Sequence, residues 1–382
     1  MKKKIQWQQY LVSAIFALLG AAGGLLLVDY LKYASAEGVG LGRELLAIAA
    51  LFVGIYVSVF LQTLIHEGGH LVFGLCSGYK FSSFRVGSLM LTRQDGRVLL
   101  RRMSLAGTGG QCLMSPPDPV NGKIPYVLYN LGGSIMNLVA CALFSGLFLV
   151  VPPHSFWAQQ LLILILVGGA LALMNGIPMN LGNIDNDGRN ALSLGRNSNA
   201  LRAFWIQMKA SELTAAGVRP KDMPAEWFEI PEGDTLQNSM TAALAVFACN
   251  RLMDEHRFGE AEDRIRRLLR QETGVAGLHR QLLICDLIYC EMIGLNRREK
   301  VEGMLDRQQK KFMRSMASYL SVMRTQYVYA LLVDRDQKQA EQLRRRFERR
   351  ARSYPYPSDV ESEWELMDIA RRRAAGELDL AV

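Results

Sequence analysis

The chain has 382 residues, a formal net charge of +8 and 50 % hydrophobic residues. Long apolar runs fill residues 1 to about 180, whereas charged residues dominate from about 200 onward. This division predicts a membrane domain followed by a soluble domain. Cytoplasmic loops and charged helical surfaces account for the excess of Lys and Arg over Asp and Glu, so we expect no nucleic-acid partner.

Four apolar runs in the first half are long enough to cross a bilayer, which takes about 20 residues. In chain order they cover residues 10–31, 45–75, 126–151 and 156–177. For the first run a cleavable signal peptide is an alternative, because Ala34-Ser35-Ala36 resembles a cleavage site. The run is long for a signal peptide, and Asp29 and Lys32 interrupt its end.

Positive charge around the runs predicts their orientation. Lys2 to Lys4 precede the first run, and six Lys and Arg residues follow the second within residues 80–102, so both segments are expected in the cytoplasm. Residues 151–155, between the third and fourth runs, contain no Lys or Arg and are expected outside. The sequence therefore predicts a multi-pass protein of a bacterial cell membrane, with its N-terminus and C-terminal half in the cytoplasm.

The second run ends in the sequence His-Glu-Gly-Gly-His, residues 66–70. On a helix His66 and His70 lie one turn apart on one face, where both imidazoles can bind one zinc ion. Glu67 can then reach a zinc-bound water as a general base. The two glycines between them lack side chains, which would let solvent and substrate approach. Ionisable groups are costly at membrane depth, so the motif marks a functional site near the cytoplasmic side.

The end of the fourth run offers a third ligand. Catalytic zinc needs three protein ligands and one open position. Asp185 and Asp187 follow the run and are expected at the same membrane depth as the histidines. The alternative for this segment is a polar turn, because Asn, Asp and Gly are turn residues.

Together these motifs resemble the site-2 protease family of intramembrane zinc metalloproteases over about residues 45–190. His66, Glu67 and His70 match its HExxH motif, and Asn175, Pro178 and Asp187-Gly188 match its Asn-x-x-Pro…Asp-Gly motif. The resemblance implies one catalytic zinc ion bound by His66, His70 and Asp187. Asp185 stays a rival ligand, because the segment after Pro178 is longer than in the commonest family pattern.

The family's middle span often carries Gly-Pro-x-x-Asn, and Gly133-Ser134-Ile135-Met136-Asn137 matches it except that Ser134 replaces the proline. The resemblance makes Asn137 and Asn175 candidates for substrate binding. For Asn137 the alternative is a buried amide that bonds a neighbouring helix. No segment is suited to the PDZ domain that some relatives carry.

The implied activity is that of a metalloendopeptidase: hydrolysis of a peptide bond within or beside a transmembrane segment of a membrane-protein substrate. Asp95-Gly96 between two β-prone runs predicts a hairpin over residues 88–100, which could hold the opened substrate as an added strand. Two alternatives are a prenyl-protein processing enzyme, for which no convincing glutamate ligand follows the motif, and a non-catalytic membrane scaffold.

The C-terminal half predicts a soluble helical domain. Segments beginning at Arg257, Asn296 and Asp336 recur about every 40 residues, and each follows an apolar helix and begins a charged one. They indicate a short tetratricopeptide-like array that binds a cytoplasmic partner, or an ordinary helical domain with three similar hairpins. The predicted domains are residues 1–200, an interfacial helix and linker over 201–233, and an independently folding unit over 234–382. The six cysteines form no CxxC pairs and indicate a reducing compartment.

Overall fold

The computed structural model describes residues 41–94, 96–103, 108–181, 184–230, 236–270 and 272–377, with scattered positions between 10 and 28. This part of the chain is mostly helical, as the sequence predicts, and contains a small antiparallel sheet. The first apolar run is described only at scattered positions between 10 and 28, and the possible cleavage site at Ala36 lies outside the described residues.

Three described helices are long and apolar enough to cross a membrane. They are α1 (Leu41–Cys76), α2 (Val127–Phe148) and α3 (Phe156–Gly176), and they coincide with the second, third and fourth predicted runs. All three pack against one another. On the outside of α1, Phe52, Val53 and Tyr56 are each more than half exposed. Such an apolar surface is compatible with contact to lipid.

A four-stranded antiparallel sheet follows α1. Its strands are β1 (Lys80–Val86), β2 (Leu89–Gln94), β3 (Arg97–Arg102) and β4 (Gly110–Ser115), in the order β3-β2-β1-β4. The predicted hairpin is confirmed as β2 and β3, which pair Gln94 with Arg97. Gly96 lies in the connecting turn at φ +76°, where glycine carries no steric penalty. The sequence did not predict β1 and β4, which extend the hairpin to a sheet.

A compact connection links α3 to the C-terminal half. It comprises β5 (Asn180–Leu181), β6 (Ile184–Asp185), α4 (Asp187–Ser193), a 3-10 turn (Leu194–Arg196) and α5 (Ser198–Ala215). Helix α5 overlaps the predicted interfacial helix, and protein buries one face of it. Ala203, Ile206 and Ala210 are at most 1 % exposed, because α5 packs against β4 and the first C-terminal helix.

The C-terminal half consists of helices α6 (Ser239–Asp254), α7 (Phe258–Arg270), α8 (Gly277–Ile293), α9 (Arg298–Met304), α10 (Arg307–Ser315), α11 (Leu320–Val328), α12 (Gln337–Ala351) and α13 (Pro357–Ala374), with a π-helical turn after α11. The recurring segments coincide with the starts of α7, α9 and α12. A non-glycine residue with positive φ precedes each start: His256, Asn296 and Arg335. Three helix pairs are thus present, whereas the tetratricopeptide-like relationship stays a prediction.

The sheet and the C-terminal helices share a hydrophobic core. Met90 of β2 and Met103, directly after β3, belong to the same buried cluster as Tyr289 of α8 and Phe347 of α12. In addition, the Nε2 of Gln94 donates to the carbonyl oxygen of Pro355 at 2.9 Å. Independent folding of residues 234–382 stays a prediction, but the sheet buries part of the surface that this fragment would expose.

Candidate metal centre

Three ligand atoms from α1 and α4 converge at the end of the helical bundle. The Nε2 atoms of His66 and His70 lie 3.3 Å apart, and the Oδ2 atom of Asp187 lies 3.2 and 3.3 Å from them. Both histidines are buried. Within the described residues, no other group of three His, Cys, Asp or Glu side chains lies this close together. All six cysteines are free, and none belongs to this group.

The spacing of these three atoms fits a metal ion. Zinc binds imidazole nitrogen and carboxylate oxygen at about 2.0–2.1 Å, and in a tetrahedron this places neighbouring ligand atoms about 3.3–3.4 Å apart. The observed separations of 3.2–3.3 Å match that edge length. A fourth tetrahedral position would remain for water. The donor set therefore fits a zinc ion, and other metals that accept imidazole and carboxylate ligands fit it as well.

Hydrogen bonds orient both imidazoles toward this point. The Nδ1 of His66 lies 2.7 Å from the Oδ1 of Asn137, and the Nδ1 of His70 lies 2.7 Å from the carbonyl oxygen of Tyr129. Because a carbonyl oxygen can only accept, each Nδ1 carries the proton. Each Nε2 then turns its lone pair toward Asp187, as in metal sites whose histidines are oriented by outer hydrogen bonds.

Hydrogen bonds occupy both polar ends of the Asn137 side chain. Its Oδ1 accepts from His66, while its Nδ2 donates to the carbonyl oxygen and the Oε1 of Gln62 at 3.0 and 2.7 Å. The side chain has no exposed surface. This arrangement favours the interhelical amide, the alternative to substrate binding. A substrate-binding role for Asn137 is not supported by any contact in this arrangement.

Gln62 is a site residue that the sequence analysis missed. It precedes His66 by one helical turn, is fully buried, and donates through Nε2 to the carbonyl oxygen of Leu164 on α3 at 2.9 Å. The chain of contacts Leu164–Gln62–Asn137–His66 therefore joins all three apolar helices. The sequence signal for this residue is its amide in an otherwise apolar run. A buried polar group needs a hydrogen-bond partner, so such an amide indicates a contact with another helix.

Asn186 positions Asp187 at the start of α4. Its Oδ1 accepts from the backbone N–H groups of Met179 and Arg189, and its Nδ2 donates to the carbonyl oxygens of Met174 and Ile177. These bonds fasten the turn to the end of α3. Burial alone would raise the pKa of Asp187, but when the imidazoles are doubly protonated and no metal is bound, their hydrogen bonds and positive charge outweigh burial and lower the pKa to about 2.

Asp185, the rival ligand, points elsewhere. Its Oδ1 accepts from the Nδ2 of Asn180, and its Oδ2 accepts from the hydroxyl of Ser239, both at 2.6 Å. The structure thus brings Asp187 to the histidines. The Nδ2 of Asn175 donates within its own helix to the carbonyl oxygen of Leu171, so its role in substrate binding stays a prediction.

Glycines allow the three close approaches on which the site depends. A Cβ at Gly133 would lie 2.5 Å from the His66 ring, one at Gly188 would lie 2.1 Å from the carbonyl oxygen of Gly176, and one at Gly69 would lie 2.2 Å from that of Gly132. The interpretation of Gly69 as an opening for solvent and substrate is therefore wrong, because α2 fills that space. A Cβ at Gly68 would meet no atom within 4 Å, so this glycine can still serve that purpose.

Glu67 lies beside the ligand cluster without belonging to it. Its side chain is buried and interacts electrostatically with His66, His70 and Asp187. Strand β4 passes next to it, since a Cβ at Gly110 would lie 2.5 Å from the Oε1 of Glu67. The predicted hairpin, β2 and β3, is separated from this edge by β1. The strand nearest the general-base candidate is therefore β4.

Comparison with protein-family models, curated proteins and solved structures finds no match to this chain. The resemblance to site-2 proteases accordingly rests on the sequence motifs.

Proposed function

We propose that this protein is an intramembrane zinc metalloprotease of the site-2 protease type. Its substrate is a membrane protein, and it hydrolyses a peptide bond within or beside a transmembrane segment. The observation that supports this proposal most strongly is the tetrahedral spacing of the ligand atoms of His66, His70 and Asp187, with Glu67 beside them. A non-catalytic scaffold has no use for such a costly arrangement in apolar surroundings.

Each side chain of the cluster has a distinct part in this chemistry. A zinc ion, when bound, lowers the pKa of its water to about 7 and polarises the scissile carbonyl. Glu67 takes the proton from the attacking water and delivers it to the leaving amine. Asn137 and the carbonyl oxygen of Tyr129 hold the imidazoles with Nε2 toward the ligand cluster, so that the rings need not reorient during turnover.

The sheet supplies a place for the substrate. A transmembrane helix hides its peptide bonds, so the segment to be cut must first unwind. Among the described residues, strand β4 pairs with one strand, β1, and its N-terminal residue Gly110 lies against Glu67. An unwound substrate that adds to the sheet along β4 would bring its backbone past the general base. This replaces the hairpin over residues 88–100 as the proposed holder of substrate.

The proposed setting is the lipid bilayer of a bacterial cell membrane. The three apolar helices are compatible with insertion. The lysines and arginines near the first apolar run and in the sheet region support a cytoplasmic position for the site and for the C-terminal helices, which would be available to a cytoplasmic protein partner.

Metal analysis combined with a cleavage assay tests the proposal. The full chain is purified in detergent with each of three substitutions, and each variant is also co-expressed with candidate single-span proteins. Glu67→Gln should retain zinc and accumulate uncut substrate. Asp187→Ala should lose zinc, whereas Asp185→Ala, the matched control two residues away, should keep it.

Three results would contradict the proposal. Wild-type protein without zinc after purification with zinc present would favour the scaffold. Wild-type turnover by Glu67→Gln would exclude the general-base role. Loss of metal from Asp185→Ala, with metal retained by Asp187→Ala, would show that the ligand set is wrong.

A further inference from the structure

A cavity of about 310 Å³ lies among the C-terminal helices, remote in sequence from the metal centre. Its walls come mainly from α6, α8, α11 and α13, and Met103 adds a contribution from the sheet. Part of the wall is apolar, through residues such as Leu283 and Leu366. The charged residues of the lining are Asp286, Arg324, Asp359 and Glu363. A cavity of this size can hold a small organic molecule.

The charges of the lining do not balance. Three carboxylates face one guanidinium, which leaves a formal surplus of two negative charges. The Nη2 of Arg324 donates to the Oδ1 of Asp286 at 2.7 Å, and its Nη1 lies 3.1 Å from the Oε2 of Glu363. This second contact is an ion pair without hydrogen-bond geometry, so the Oε2 of Glu363 remains a buried acceptor without a donor.

The negative charge of Asp359 is compensated even less than that of Glu363. Within the part of the chain that the structure describes, its carboxylate has neither a hydrogen bond nor an ion pair, and the negative charge of Asp254 acts on it. Burial raises the pKa of both Asp359 and Glu363 to about 7. Carboxyl groups in such surroundings gain stability from a positive charge that enters the cavity.

Aromatic side chains complete the lining. Tyr319, Tyr354 and Tyr356 face the cavity, and the hydroxyl of Tyr319 is buried without a partner. Tyrosine faces attract cations, and a free hydroxyl can accept a hydrogen bond from an ammonium group. Acidic, aromatic and apolar surfaces in one cavity match an amine that carries an apolar body.

We propose that this cavity binds a small organic cation, a primary amine with an apolar body, whose ammonium group pairs with Asp359. The apolar body lies against Leu283 and Leu366, and the tyrosines enclose the charged end. Because Met103 lines the same cavity, an occupant contacts the sheet as well as the helices.

Calorimetry and thermal unfolding of the full chain in detergent test the proposal. The probes are 2-phenylethylamine, tyramine, cadaverine and spermidine, with 2-phenylethanol as the neutral counterpart and Mg²⁺ and Ca²⁺ as inorganic cations. At least one amine should bind and raise the melting temperature, whereas 2-phenylethanol should not. Asp359→Asn should weaken amine binding by about tenfold or more, because it removes a charge-assisted hydrogen bond.

A matched variant controls for the loss of one negative charge from α13. Asp368→Asn, on the same helix, removes an exposed carboxylate that pairs with Arg371, and it should leave amine binding unchanged. Glu363→Gln should weaken binding, and it provides a second test if Asp359→Asn folds poorly. Failure of all four amines to bind, equal binding by Asp359→Asn and wild type, or binding of the inorganic cations alone would each overturn the proposal.

Discussion

Gly133→Ala adds a single methyl group directly against the ring of a candidate metal ligand. A Cβ at this position would lie 2.5, 2.6 and 2.7 Å from the Cε1, Nε2 and Nδ1 atoms of His66. Ordinary van der Waals contact begins at 3.4 Å, so the imidazole or helix α2 must move by about 0.9 Å, the difference between 3.4 and 2.5 Å. The atoms displaced include the one that would bind the metal.

The effect on metal binding follows from this distance. Metal–ligand distances tolerate deviations of about 0.2 Å, far less than the displacement that the methyl group requires. The His66 ring also cannot turn away freely, because Asn137 holds its Nδ1 at 2.7 Å. Loss of an outer hydrogen bond typically weakens metal affinity 10–100-fold. Gly133→Ala displaces a ligand itself, so we expect zinc affinity to fall by about 100-fold, the upper end of that range.

The assay compares Gly133→Ala with Gly146→Ala. Both replacements lie on α2, but a Cβ at Gly146 meets no atom within 4 Å. Alanine favours a helix over glycine by about 1 kcal/mol, so the control should fold at least as well as the wild type. Zinc affinity is measured by competition with a chelator, and helicity by circular dichroism. Wild-type zinc affinity in a folded Gly133→Ala protein would refute the reasoning.

Three further predictions concern the orientation of the site, its membrane side and its pH dependence. Asn137→Leu should retain the helices but weaken zinc binding about 10–100-fold, measured by the same chelator competition, because His66 loses its orienting acceptor. Gly96→Cys should react with membrane-impermeant thiol reagents in inside-out vesicles, and labelling in intact cells would contradict the proposed topology. The raised pKa of about 7 means that folded Asp359 keeps a proton that the unfolded chain loses near pH 4, so stability falls as pH rises from about 4 to 7. Between pH 5 and 8 the melting temperature of the wild type should therefore fall relative to that of Asp359→Asn. Parallel curves of melting temperature against pH would contradict the raised pKa of Asp359.

Features set by local periodicity were predictable from the sequence. One helical turn separates His66 from His70, so a single helix suffices to align their imidazoles. The three apolar helices follow from length and hydropathy, and the β2–β3 hairpin follows from its Asp-Gly turn. Preference for Asp187 over Asp185 came from the family motif, and the structure places Asp187 with the histidines.

Features set by packing between distant segments were not predictable. Nothing local indicates that both polar ends of Asn137 are occupied, since its partners Gln62 and His66 lie more than 70 positions away in the chain. Strand β4 was missed because its pairing with β1 depends on register and not on a turn signal. Burial of Met90 and Met103 against C-terminal helices crosses the predicted domain boundary, and no composition change marks such a contact.

The position of each candidate ligand depends on a contact from another helix. The histidines lie on α1, but Asn137 and Tyr129, which orient them, lie on α2. Asp187 is placed by the bonds of Asn186 to the end of α3. Apolar surroundings offer no water to replace such hydrogen bonds, so each one is costly to break. The metal centre is therefore assembled only when the three helices pack correctly, and metal affinity should report that packing.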